Sequence, residues 1–214
     1  MPEIDKFEEM TMQKFTTCMS AVLAVLALSC VPATAAESLR ASAAHNDAGE
    51  LALKARLEQV VAKYKLEKWL YTGEIRIDKD VWPPHSHPVL TLGVREQLLS
   101  DDVYLVGSLL HEEFHWNMVL NGKFMPEVSA AQVKAKFPGL DLDHPKGSGG
   151  DVSTYGHVLV CYMEYKALAK VFGEDAARKA IRALPFYTGI YALVTDQKNQ
   201  ETLEALLRQE QVAI

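Results

Sequence analysis

Apolar residues recur every three or four positions along most of the chain, which is typical of helices with one buried face. Two shorter segments, 70–77 and 88–94, are instead rich in Ile, Val, Leu and Thr and predict strands. The expected fold class is therefore α+β and predominantly helical. The predicted helices span residues 48–69, 101–120, 129–136, 153–172, 173–181, 184–194 and 201–212.

Composition narrows the class of protein. The chain has 214 residues, of which 49% are hydrophobic and 23% charged, and this balance is that of one globular domain with a sizeable core. The formal net charge of −6 disfavours a nucleic-acid binder, because phosphate recognition needs clustered Lys and Arg. We therefore expect no nucleic-acid partner.

The first residues have the pattern of a secretory signal peptide. Lys14 precedes a short apolar run, residues 21–28, and small residues around position 35 suit a cleavage site. We expect residues 1–36 to be the signal and residues 37–214 to form a single domain, with no membrane span in the mature chain.

Two details of this leader matter for localisation. Residues 2–9 are acidic, unlike a normal signal, so the true start is expected at Met10 or Met12. The signal predicts export to the periplasm or the extracellular space. A lipid anchor on Cys30 is the alternative, although the residues before Cys30 match a lipidation box poorly.

The residues that carry chemistry are concentrated at positions 111–115, His-Glu-Glu-Phe-His, within the predicted helix 101–120. Residues four apart lie on the same side of a helix, so His111 and His115 can bind one metal ion, with Glu112 beside its open position. A carboxylate there can take a proton from a metal-bound water. The spacing predicts His111 and His115 as metal ligands and Glu112 as general base.

The third ligand is expected on the predicted helix 153–172, where His157, Cys161 and Glu164 share one face. A carboxylate on an apolar helix face is costly to bury unless a positive group meets it, so Glu164 is the first choice. His157 is the alternative. The two residues are two turns apart, roughly 10 Å, so the one that does not bind metal is expected to support a ligand or the transition state.

The motif helix followed by a helix with Glu164 resembles the zincin metallopeptidases, particularly the gluzincins, in which a downstream glutamate completes the site. The resemblance covers these two helices. It implies a zincin-like domain with a small edge sheet, where strand 88–94 lies beside the cleft and pairs with substrate. It also implies Zn²⁺ held by His111, His115 and Glu164.

The implied reaction is hydrolysis of a peptide bond by a zinc-bound water that Glu112 activates. The oxyanion formed in such a reaction needs a further hydrogen-bond donor. The candidates are His157, Tyr155 and two tyrosines near the C-terminus, Tyr187 and Tyr191. Glu112, His157, Tyr187 and Tyr191 are therefore the predicted catalytic residues.

The predicted function is an exported zinc-dependent metallopeptidase that acts on a peptide or protein substrate. One alternative is a non-catalytic zincin-like protein that binds metal or peptide, and another is a zinc hydrolase of a non-peptide amide. Glu112 favours an enzyme, because a binding protein has no need for a base beside the open metal position. The sequence leaves the oligomeric state undetermined.

Overall fold

Most of the chain is helical in the computed structural model, which describes residues 39–120 and 125–214. The prediction of a predominantly helical α+β fold is confirmed for this described part. The predicted signal peptide lies outside the described residues. The strands are β1 (Arg40–Ala43), β2 (Glu74–Ile77) and β3 (Leu90–Leu92), and the α-helices are α1 (Ala48–Tyr64), α2 (Glu96–Ser100), α3 (Asp102–Leu120), α4 (Pro126–Lys136), α5 (Asp151–Phe172), α6 (Glu174–Arg182), α7 (Thr188–Val194) and α8 (Gln200–Glu210).

The sheet of the described residues is parallel, in the order β1-β2-β3. Helix α1 forms the crossover from β1 to β2, as a parallel connection requires. In β2, Ile75 and Ile77 are buried and pair with Leu90 and Leu92 of β3. Strand β1 was not predicted, because its sequence Arg-Ala-Ser-Ala lacks the β-branched and aromatic residues that identify strands.

The outer side of β3 is already partly paired. His85 N–H donates to Thr91 O at 3.1 Å, and Thr91 N–H donates to His85 O at 2.8 Å. A substrate strand added at Thr91 would have to displace His85. The expectation that strand 88–94 offers a free edge to substrate therefore disagrees with the structure at this position.

The first helix is shorter than predicted. Helix α1 ends at Tyr64 because Lys65 adopts a left-handed conformation with φ 54°, and its N–H bonds to the carbonyls of Val61 and Ala62. A 3₁₀ turn, Leu66–Trp69, follows and buries Leu66 and Trp69. The apolar spacing persists through the turn, which explains why the sequence pattern predicted one continuous helix over residues 48–69.

Helix α5 is the central helix of the described fold. It packs against α3, α4, α6, α7 and α8, and most of its residues from Thr154 to Leu168 are buried. A helix surrounded in this way needs apolar side chains all round, which its sequence supplies. Two of its polar residues, Glu164 and His157, belong to the candidate site described below.

Glu113 fixes α3 to the segment that leads into β2. Its side chain is fully buried, and one carboxylate oxygen accepts hydrogen bonds from the N–H groups of Tyr71 at 2.8 Å and Thr72 at 3.0 Å. The other oxygen, Oε1, has no partner among the described residues. Burial raises the pKa of Glu113 to about 7, although the two N–H groups oppose the rise.

We predict that Glu113 makes the protein less stable as the pH rises through neutrality. A carboxyl group with a higher pKa in the folded state than its ordinary 4.5 keeps its proton longer when folded, so stability falls between pH 4.5 and about 7. The expected loss is about 3 kcal/mol.

Urea unfolding of the chelator-treated protein at pH 5 and pH 8 measures this effect. Glu113→Gln cannot ionise, so the difference in unfolding free energy between the variant and the parent should shift by about 3 kcal/mol in favour of the variant over this range. Exposed Glu201 supplies the control, since Glu201→Gln should show no such shift. An unchanged difference for Glu113→Gln would contradict the prediction.

Candidate metal centre and active site

Helix α3 carries the motif histidines on the side that faces α5. His111 and Glu112 are each 8% exposed, and His115 is half-buried. The ring centroids of His111 and His115 are 5.1 Å apart, in an edge-on arrangement. The four-residue spacing thus brings both imidazoles to one side of α3.

Helix α5 adds a third imidazole to this pair. The ring of His157 lies 4.9 Å from that of His115 and 5.7 Å from that of His111. One nitrogen from each of the three histidines lies within 4.8 Å of the others. His111, His115 and His157 therefore form a group that could hold a metal ion.

Hydrogen bonds set the orientation of two of these rings. Nδ1 of His157 is 2.8 Å from Ser153 O, and Nδ1 of His111 is 2.9 Å from Glu164 Oε2. A carbonyl or carboxylate oxygen only accepts, so each Nδ1 carries the proton. In the neutral form of each ring, Nε2 then carries the lone pair that a metal ligand requires.

Glu164 lies behind His111. It is 3% exposed, and its Oε2 accepts hydrogen bonds from His111 and from the hydroxyl of Tyr191, the latter at 2.9 Å. Glu164 forms a group of metal-binding type with His111 and Cys161, whereas the group that includes His115 contains His157. The geometry therefore favours His157 over Glu164, the first choice from sequence, as the third ligand.

The two predicted tyrosines lie on different sides of the cluster. The hydroxyl of Tyr187 is 3.3 Å from Nε2 of His157, and its ring stacks on that of His111 with centroids 5.8 Å apart. Tyr187 itself has a left-handed backbone with φ 53°, a strained conformation for a bulky residue that is often found at functional sites. Tyr191 is buried, and its hydroxyl contacts Glu164 instead of the metal-binding face.

Burial and mutual repulsion control the charges of the cluster. Burial and the nearby His111 lower the pKa of His115 well below its usual value and that of His157 to about 4. Burial also acts to lower the pKa of His111, but hydrogen bonds to Cys161 and Glu164 outweigh it and raise this pKa well above 6.5. His115 and His157 are therefore neutral near pH 7, as metal binding requires.

The side chain of Glu112 forms no hydrogen bond with any described residue. It lines a cavity of about 430 Å³ together with His111, His144 and Tyr187. Burial raises the pKa of this carboxyl group, and Tyr187 has a raised pKa for the same reason. The cavity volume is in the range of small-molecule sites, so Glu112 faces a space that a substrate can enter.

A third group of metal-binding type among the described residues lies after β1 and β2 and consists of His45, Asp78 and Asp80. Its members already have charged partners. Nδ1 of His45 is 2.8 Å from Glu50, Asp78 pairs with Arg76, and Asp80 pairs with Lys79. This group is accounted for by its own ion pairs, unlike the three imidazoles.

Sequence reasoning missed several residues that line the cavity. His144, Trp82 and Arg95 were not among the predicted site residues. These residues come from loops and helix ends, whose neighbours are set by tertiary packing and not by any local repeat. The Trp-Pro-Pro sequence at Trp82 was the one available signal, since it predicts a turn but not its location.

Comparison with known proteins leaves the site without a relative. No family model, no curated protein and no solved structure matches the chain. Within the described residues, no helix has the length and apolar content needed to cross a membrane. Support for the candidate metal centre therefore comes from the geometry of its three histidines.

Proposed function

We propose that this chain is an exported zinc-dependent peptidase in which His111, His115 and His157 hold the metal and Glu112 is the general base. The observation that carries the proposal is the convergence of three imidazoles beside a buried, unpaired glutamate. Export rests on the predicted signal peptide alone. The zincin resemblance of residues 111–115 supports the same reading, with a histidine in place of the expected glutamate ligand.

The donor set suits zinc. Three histidine nitrogens are a ligand set found in catalytic zinc sites, whereas Mg²⁺ and Ca²⁺ prefer oxygen ligands, and His111 would give up a proton when the metal binds. The hydrogen bonds from His111 to Glu164 and from His157 to Ser153 O are the outer contacts that metal-binding histidines commonly make. Zinc, when bound, supplies Lewis acidity that makes a water molecule acidic near neutral pH.

Glu112 has the position expected of the proton carrier. It follows His111 directly on α3, lines the cavity and lacks a competing hydrogen bond among the described residues. In the proposed reaction its carboxylate accepts the proton of the attacking water and then donates that proton to the leaving amine. One residue therefore acts in both halves of the reaction.

The two tyrosines take different roles in this scheme. The Tyr187 hydroxyl lies close to the nitrogen of His157 that would face the metal, so it can donate a hydrogen bond to the developing oxyanion. Tyr191 is a positioning residue, because its hydroxyl orients Glu164, which in turn orients His111. Glu112 favours this enzyme over a non-catalytic metal- or peptide-binding protein.

We predict that zinc binding depends on His157 and only weakly on Glu164. The zinc-reconstituted parent should contain about one zinc per chain by atomic spectroscopy, and His157→Ala should contain almost none. Glu164→Gln can still accept the hydrogen bond from His111, so it should keep zinc with an affinity about 10- to 100-fold weaker.

A matched histidine control is available in His87, which stacks on Trp116 outside the three-imidazole group. His87→Ala should retain zinc like the parent. If His157→Ala keeps its zinc while Glu164→Gln loses it, the ligand assignment reverses. If the parent binds no zinc, the proposed function fails.

We also predict that Glu112→Gln separates metal binding from catalysis. The variant should retain about one zinc per chain, while its hydrolysis of unstructured peptides falls by at least about 100-fold, because the proton acceptor is gone. Mass spectrometry of the products measures the rate. Glu201→Gln, an exposed substitution of the same kind, should cleave like the parent.

Two outcomes would contradict this proposal. A zinc-loaded parent that cleaves no peptide in a diverse pool would leave a metal-binding protein without peptidase activity. Equal cleavage by Glu112→Gln and the parent would remove Glu112 as the base and would require another proton acceptor.

A further inference from the structure

The cavity extends away from the imidazole cluster along α3. Val103, Tyr104, Gly107 and Ser108 of this helix line it, followed by His111 and Glu112. Nine residues of helix rise by roughly 13 Å, so the cavity is a groove that follows α3 over this distance and reaches the candidate metal centre at His111, the one histidine of the three that lines it. Its other end lies at the start of α3, next to α2.

The middle of this groove is apolar. Leu98 contributes from α2, Leu168 from α5, and Leu184 and Phe186 from the segment between α6 and α7. Gly107 provides room where α3 approaches α5, because a Cβ there would lie 3.3 Å from Glu164 and 3.5 Å from Leu168. The groove is thus suited to an extended ligand with apolar side chains.

An arginine also lines the groove. Arg95 directly precedes α2 and lines the cavity together with Trp82, over whose ring its guanidinium lies at 4.8 Å. Its Nη1 donates to Val94 O at 2.6 Å and its Nη2 to Val81 O at 3.3 Å. Among residues 39–120 and 125–214 it forms no salt bridge with Asp or Glu.

We propose that Arg95 binds the free C-terminal carboxylate of the peptide substrate, so that the protein removes short apolar fragments from C-termini. This inference rests on the proposed peptidase function and adds its substrate class. The juxtaposition that carries it is an arginine without an acidic partner in the same largely apolar groove as His111 and Glu112.

The charge of Arg95 is the reason for a carboxylate. A guanidinium has five N–H donors, and the two backbone carbonyls use two of them. A partly buried cation without an anionic partner is unfavourable, and an anionic ligand relieves that cost. Guanidinium and carboxylate groups also match in shape, and stacking on Trp82 holds the guanidinium plane in place.

The length of the groove sets the size of the product. An extended peptide spans about 3.3 Å per residue, so the roughly 13 Å over which the groove follows α3 accommodates about four residues. The leaving fragment is therefore a short peptide with apolar side chains. The substrate needs a free C-terminus within this distance of the scissile bond.

The test uses a pool of N-acetylated hexapeptides with apolar residues randomised at the last three positions, prepared as free acids and as C-terminal amides. The zinc-loaded parent should cleave the free acids with a kcat/KM about 10- to 100-fold higher than the amides, the range expected for a charge-assisted hydrogen bond. Arg95→Gln should reduce this ratio to near one, while Arg208→Gln, at an exposed arginine of α8, should leave it unchanged.

The ratio of kcat/KM for free acids and amides separates two effects of Arg95→Gln. A variant that only disturbed the structure would slow cleavage of both forms equally and leave this ratio unaltered. Calorimetry with zinc-loaded Glu112→Gln gives a readout that does not need turnover, since this variant should bind the free acids about 10- to 100-fold more tightly than the amides. Equal cleavage and binding of both forms would overturn the role of Arg95 and leave the peptidase proposal intact. Cleavage of neither form would overturn both.

Discussion

A buried hydrogen bond of 2.9 Å joins Nδ1 of His111 on α3 to Oε2 of Glu164 on α5. The two side chains are only 11% and 3% exposed, so water competes little with this bond. Removing one partner of a buried ionic pair commonly costs 3–5 kcal/mol, because the other is left uncompensated. The relative placement of the two central helices is therefore tied to the chemistry of the site.

Residues around the hydrogen bond between His111 and Glu164 make room for it and extend it. Gly107 has no Cβ, and this absence lets Glu164 approach α3 closely. Tyr191 donates a second hydrogen bond to the same carboxylate oxygen from α7. Two turns earlier on α5, His157 places its ring 5.7 Å from the His111 ring. His111 thus lies beside both a carboxylate that orients it and an imidazole that completes the metal-binding group.

The sequence predicted the elements of this site better than their assembly. The spacing of His111 and His115 and the helices that became α3 and α5 follow from local periodicity. Whether Glu164 or His157 meets both motif histidines depends on the rotation and depth of α5 against α3, which no local pattern encodes. Arg95 and Trp82 were missed for the same reason, since they join the groove through packing at a helix start and a turn.

Glu112 and Glu113 are adjacent on α3, but their carboxylates point in different directions and have different surroundings. Successive residues differ in direction by about 100°, so Glu113 turns away from the cluster and bonds to the N–H groups of Tyr71 and Thr72. Glu112 instead faces the cavity without a hydrogen bond to any described residue. Burial of the Glu113 side chain is thus explained by these two hydrogen bonds, which anchor α3. An unpaired carboxylate is costly to bury, so its place at Glu112 is best explained by a partner that enters the cavity, namely the substrate and its attacking water.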